Sequence, residues 1–139
     1  MLVEFLQQNI LLVAIAIVSG VGLVWPILRP SGAKTVSPSE ATMLINREDA
    51  IVLDVRETSE FVTGHLPEAR NIPAGKLKDR LNEIENFKER PLILCCASGV
   101  RSAGACGDLK KLGFNKLYNL AGGVDAWRGA SLPVKKGVR

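Results

Sequence analysis

Two short stretches, Ala50-Ile51-Val52-Leu53-Asp54-Val55 and Pro91-Leu92-Ile93-Leu94-Cys95-Cys96, are apolar at nearly every position rather than at alternate ones. Successive residues of a strand face opposite sides of its sheet, so strands of this kind are buried on both faces. A sheet made of them needs helices above and below, and the segments between supply the signals. Ser37-Pro38-Ser39-Glu40 is a capping box with proline at the first helical position, and Ala41, Met43, Leu44 and Ile45 carry that helix to about Asn46. Helical periodicity recurs over 57–63, ended by Gly64, at Leu77, Leu81 and Ile84, and over 102–112, ended by Gly113. Arg70-Asn71-Ile72-Pro73 and residues 116–120 read as further strands. Gly122-Gly123 reads as a turn, and residues 124–129 as a short helix carrying Trp127 into the core. Strands alternating with helices predict an α/β fold with a parallel sheet covered on both faces.

The N-terminal part has a different character. From Ile10 to Leu28 the chain carries no charge, which is long enough for a helix to cross a hydrocarbon core. A cleaved signal peptide is the competing reading, with Ser31-Gly32-Ala33 as small residues at a cleavage site. Against it, Glu4 is the only charge before the run, and the run is longer than an ordinary signal core. Trp25 suits an interfacial anchor. Arg29 and Lys34 follow the run, so the positive-inside rule places the rest of the chain in the cytoplasm. Ala16 and Gly20 have the spacing of a helix-packing pair, but also that of ordinary membrane-helix residues. The expected organisation is an anchor over 1–33 with its span at 10–28, a short linker over 29–36, and a folded domain over 34–139.

Glu4 and Arg29 cancel, so the net charge of +4 belongs to residues 34–139. There the basic residues alternate with acids, as in Lys76-Leu77-Lys78-Asp79-Arg80. No basic stripe interleaved with aromatics predicts nucleic-acid binding. Three cysteines, two of them adjacent, make a poor disulfide framework and suit a reducing compartment. With one histidine, His65, they lack zinc-site spacing, so no metal is expected. His65 reads as a structural hydrogen-bonding residue.

Chemistry points to Cys95-Cys96-Ala97-Ser98-Gly99-Val100-Arg101-Ser102, where a strand runs into a loop and then a helix. Backbone N–H groups of such a loop converge with the helix N-terminus and favour an anion, so a cysteine there is biased toward thiolate. Gly99 permits a tight turn, Ala97 and Ser98 keep bulk out, and Arg101 brings a permanent planar cation. Alternation along the strand puts Cys95 and Cys96 on opposite faces. Cys96, last before the loop, is the candidate nucleophile, and Cys95 and Cys106 read as buried wall. Counted from Cys95, the arginine falls at Cys-x5-Arg, the spacing of phosphatases and arsenate reductases. That chemistry wants a nearby acid for its leaving group, and the loop contains none. Asp54, at a strand end, reads as an ion-pair partner of Arg56 or Arg70, or as a group orienting the loop.

Residues 96–102 resemble the Cys-x-x-Gly-x-Arg-Ser active loop of single-domain rhodaneses. The resemblance extends over 34–134. Leu53-Asp54-Val55-Arg56, Glu60-Phe61 and Gly64-His65-Leu66-Pro67-Glu68-Ala69-Arg70-Asn71-Ile72-Pro73 are similar to the family's first signature. Leu120-Ala121-Gly122-Gly123-Val124-Asp125-Ala126-Trp127 and Leu132-Pro133-Val134 are similar to its last. Two departures are Glu68, where glycine is common, and Ala130-Ser131, where glycine usually precedes Leu-Pro. The resemblance implies a rhodanese-like fold and a cofactor-free sulfurtransferase. Cys96 would take the outer sulfur of thiosulfate, or of a persulfide donor, as a persulfide and pass it to cyanide or a thiol. Arg101 would bind the donor's sulfonate. The backbone N–H groups of Ala97, Ser98, Gly99, Val100, Arg101 and Ser102 would hold the persulfide charge, with Asp54 and Arg56 in support. With the apolar segment, the chain resembles a membrane-anchored rhodanese of the bacterial inner membrane, its domain facing the cytoplasm. A membrane-bound interaction module is the alternative from another class.

Overall fold

The computed structural model of the chain describes residues 1–28 and 33–138, with backbone alone at 26–27. It divides into two compact units, Met1–Pro30 and Ser31–Arg139. The first consists of helices α1 (Leu2–Gln8) and α2 (Ile10–Leu28). Among the described residues no single helix is long and apolar enough to cross a membrane. Leu2–Gln8 and Ile10–Trp25 satisfy that requirement together, although the pair is bent by 86°. Residues 29–32, hence Arg29, Ser31 and Gly32 and half of the expected linker, lie outside the described residues.

The second unit runs β1 (Lys34–Val36), α3 (Pro38–Glu48), β2 (Ile51–Asp54), α4 (Thr58–Phe61), β3 (Arg70–Asn71), three 3-10 turns between Ala74 and Phe87, β4 (Leu92–Cys95), α5 (Val100–Lys111), β5 (Leu117–Leu120) and α6 (Gly123–Gly129). The five strands form one sheet in the order β1-β5-β4-β2-β3, and every pairing is parallel. The chain winds outward from β2 to β3, returns to β4, and winds the opposite way to β5. The reversal leaves a crevice at the C-terminal ends of β2 and β4, where open α/β sheets bind ligands.

The expected capping box forms at Ser37, whose hydroxyl accepts from Glu40 N at 3.2 Å while Glu40 Oε1 accepts from Ser37 N at 3.4 Å. β4 is buried at all four positions, as its continuous apolar run requires. Ile93 and Cys95 face one cluster with Val36, Ala41, Val52, Leu120, Val124 and Trp127, roofed by α3 and α6. Leu92, Leu94 and Cys96 face the other, with Leu53, Ile84, Ala105, Leu109 and Phe114, roofed by α5 and the 3-10 turns. Each fully buried leucine, such as Leu53 or Leu94, contributes about 1.5–3 kcal/mol relative to an exposed one.

Four expectations need correction. Residues 34–36, placed in the linker, form an edge strand: Ala121 N donates to Val36 O at 2.8 Å, and β1 lies parallel to β5. Leu77, Leu81 and Ile84 mark no continuous helix but successive 3-10 turns, which bury Leu77 and Ile84 equally well. Gly75, Asn82 and Asn86, all weak helix formers, remove the incentive for a regular helix there. α4 is shorter than 57–63, because Gly64 N and Thr63 N already close tight turns onto Phe61 and Glu60. α5 begins at Val100, two residues earlier than the periodicity placed it.

Candidate active site

β4 ends at Cys95, and the next residue, Cys96, opens the turn into α5. Gly99 makes that turn possible with φ +98°, a left-handed value that costs other residues about 1–2 kcal/mol. The turn brings Gly99 N to 3.0 Å from Cys96 Sγ, and α5 begins one residue later. Ser102 Oγ stands 3.4 Å from the same sulfur. Cys96 is 1% exposed. Burial disfavours its thiolate, but the Ser102 hydroxyl and the backbone N–H groups of Ser102, Gly99 and Ser98 outweigh that and hold its pKa below the ordinary thiol range. The other two thiols behave oppositely. Burial pushes Cys95 well up, with the Asp54 charge adding to it, and pushes Cys106 up to about 12. Cys95 lies in the opposite core cluster, so a Cys-x5-Arg count starts from a sulfur that does not face the loop.

Two elements hold the loop from behind. Asn119 of β5 is buried, donates its amide to Gly99 O at 3.1 Å, and accepts from Ser102 Oγ at 2.6 Å. Its two-sided amide therefore fixes both the carbonyl and the hydroxyl whose neighbours surround the sulfur. From the other side, Val124 N donates to Cys96 O at 2.8 Å and Asp125 N to Ala97 O at 3.1 Å. With these carbonyls turned toward α6, the N–H groups of the loop are left facing inward. Gly123, φ +58°, lies so close to the loop that a Cβ would meet Ala97 C and O at 2.7 Å.

The remaining candidates sit around this bowl. Arg101 points its fork at Glu60, with N–H groups 2.7 and 2.8 Å from the two carboxylate oxygens. Val100, at the start of α5, is exposed. Asp54 and Arg56 form a buried ion pair at 2.8 Å, and Arg56 also donates to Gly64 O at 2.7 Å. Val55, between them, donates its N–H to Cys95 O at 2.9 Å, so the pair braces the strand end that carries the cysteines. His65 is buried and structural: it stacks on Phe61 and its Nδ1 lies 3.0 Å from Phe61 O. Trp127 packs in the core and donates to Pro133 O at 2.9 Å.

A family model described as a rhodanese-like domain matches residues 37–130. The chain belongs to the rhodanese-like family. It is 35% identical over 108 residues to an uncharacterized protein of Escherichia coli K12, YibN, covering 77% of this chain and 76% of that one. It is equally identical over 98 residues to a protein of Allochromatium vinosum named sulfurtransferase, covering 70% of this chain and 90% of the relative. Among solved structures, a rhodanese-related protein from Thermoplasma volcanium superposes with a TM-score of 0.67 at 28% identity, covering 75% of this chain and 99% of that one.

Within the rhodanese-like domain, both departures from the family pattern have a backbone cost. Glu68 has φ +61° and Ser131 φ +59°, left-handed positions where glycine is free of strain. Sequence reasoning passed over Asn119 and the role of Glu60, and read Gly123 only as a turn. The signal for Asn119 was available: an amide in a short strand that is otherwise largely apolar has to find buried partners.

Proposed function

We propose that the protein is a sulfurtransferase working through a Cys96 persulfide, with thiosulfate or a persulfide as donor and a thiol or cyanide as acceptor. The observation that carries this reading is the Cys96 sulfur held 3.0 Å from Gly99 N, at the head of α5, with its pKa lowered by hydrogen bonds and no acid in the loop. The Cys96 thiolate attacks the outer sulfur of thiosulfate. The new S–S bond forms as the old one breaks, sulfite leaves with its electron pair, and Cys96–S–S⁻ remains. Sulfite departs as a stable anion and needs no proton, so the chemistry requires no acid within the loop. Cyanide then takes the outer sulfur as thiocyanate and returns the Cys96 thiolate. A thiol acceptor takes it as R–S–SH, keeping its own proton. The loop N–H groups of Ala97 to Ser102 stabilise the anionic sulfur throughout, and Arg101 receives the donor's oxyanion. Asp54 and Arg56 act at one remove, by bracing the strand end.

The same reading has the N-terminal unit hold the protein at a membrane, the inner membrane of a bacterium. Its support is the charge-free run of α2 and the exposure of Leu11, Leu12, Ile17, Val18 and Leu23 among the described residues. On this reading the rhodanese-like domain faces the cytoplasm, and its support is the pair of basic residues after the run, Arg29 and Lys34, under the positive-inside rule. Thiocyanate production from thiosulfate and cyanide tests the chemistry: Cys96→Ser abolishes it and Cys95→Ser retains it. Loss in Cys95→Ser alone would assign the wrong thiol. A reporter fused after Arg139 that works only outside the cytoplasm would overturn the topology.

A further inference from the structure

Arg101 is already occupied. Its fork meets the Glu60 carboxylate fork to fork at 2.7 and 2.8 Å, across 41 residues of sequence. The two side chains remain 42% and 36% exposed, so the pair lies at the rim where a solute can reach it. Glu60 is not a loose side chain swinging onto a cation. It is presented by α4, which is pinned by buried Phe61 and by Thr58 Oγ1, 3.1 Å from Asn71 Oδ1. Nor does a second basic group draw it away, because Arg56 is committed to Asp54 and to Gly64 O. A carboxylate and a sulfonate offer a guanidinium the same thing, two oxygens at matching spacing with negative charge, and one fork serves only one of them at a time. Pairing also cancels the rim's charge, so a dianion gains little electrostatic steering toward the thiol.

From this geometry, and resting on the sulfur-transfer reading above, we infer that Glu60 is a specificity-determining residue that tunes the site toward persulfide donors. It occupies Arg101 as an internal carboxylate, so thiosulfate and other oxyanion donors bind only by displacing it. A persulfide of a thiol carries no sulfonate and reaches Cys96 with the pair intact. Val100, the residue before Arg101 and 77% exposed, offers such a donor an apolar surface that a small dianion cannot use.

The test needs no turnover. All three thiols are buried, but burial pushes the pKa of Cys95 and Cys106 up while hydrogen bonds from the loop hold that of Cys96 down. Alkylation of the full chain in detergent by iodoacetamide, which needs the thiolate, therefore reads Cys96, and Cys96→Ser verifies that. Sulfate, an oxyanion with no transferable sulfur, is titrated as a protectant. Glu60→Gln lowers the half-protecting sulfate concentration about threefold to fivefold, the scale of one exposed carboxylate–guanidinium pair. Glu57→Gln removes the same charge from the start of the same helix and leaves it unchanged, and Arg101→Gln cancels the gain in the Glu60→Gln background. With turnover, the thiosulfate KM of Glu60→Gln falls by a similar factor, while kcat/KM for the persulfide of N-acetylcysteamine stays the same. Equal protection in the parent and Glu60→Gln, protection in neither, or an equal gain in Glu57→Gln overturns the inference. Failure of Cys96 to take sulfur from any donor instead removes the sulfur-transfer reading, and the two failures are separately visible.

Discussion

Replacing Gly123 with alanine asks whether α6 shapes the thiol loop. Gly123 has φ +58°, where an L-residue costs about 1–2 kcal/mol. The added methyl group would also meet Ala97 C and O at 2.7 Å, and Cys96 O closer still. These are backbone atoms that cannot rotate aside, so overpacking adds roughly 1–3 kcal/mol. The expected loss is therefore about 2–5 kcal/mol. It is accompanied by lengthening of the bonds from Val124 N to Cys96 O and from Asp125 N to Ala97 O, which turn the loop carbonyls outward. Gly104 provides the opposite case: it is exposed within α5, and a methyl group there meets nothing within 4 Å. Gly104→Ala should raise stability by about 0.5–1 kcal/mol. Urea unfolding of the full chain followed by circular dichroism measures both, and the iodoacetamide rate of Cys96 reports the loop. If Gly123→Ala unfolds within about 0.5 kcal/mol of the parent and alkylates at the parent rate, α6 does not set the loop and the argument fails.

Other consequences can be checked in the same preparations. Alkylation of Cys96 should rise with pH around a midpoint below that of an ordinary thiol, because only the thiolate reacts. Ser102→Ala removes a donor to that sulfur and should move the midpoint upward. It also leaves buried Asn119 Oδ1 without its partner, at about 1–3 kcal/mol of stability, and an unmoved midpoint would refute the assignment. By linkage, a depressed thiol pKa contributes stability above the unfolded thiol's pKa, and that contribution is lost as pH falls through the folded value. Asp54→Asn strands buried Arg56 and should cost about 3–5 kcal/mol in urea unfolding; a cost under about 1 kcal/mol would show that the pair braces nothing. Glu68→Gly and Ser131→Gly should each stabilise by up to about 1 kcal/mol by relieving left-handed strain, and a lowered thermal midpoint in both would contradict that reading.

The central sheet was legible because burial on both faces leaves a mark along the sequence: Ile51–Leu53 and Leu92–Cys95 are apolar without interruption. The separation of Cys95 from Cys96 followed from strand alternation, and the two sulfurs do lie in opposite clusters. β1 was not legible, since a three-residue edge strand with one buried position has no periodicity to show. The turns between Ala74 and Phe87 escaped for a related reason, because apolar residues three and four apart serve a chain of 3-10 turns as well as an α-helix. Cys96 and its loop could be read locally. The contacts of Asn119 and Glu60 with that loop could not, because they join positions 20 and 41 residues apart and exist only once the strands have paired.

The central claim is that Cys96 carries sulfur as a persulfide, and intact mass spectrometry of the full chain after incubation with thiosulfate addresses it most directly. The account predicts a gain of one sulfur atom, mapped to Cys96, absent from Cys96→Ser, present in Cys95→Ser, and removed by cyanide. A chain that gains no sulfur from thiosulfate or a persulfide donor, or gains it on Cys95 or Cys106, would contradict it.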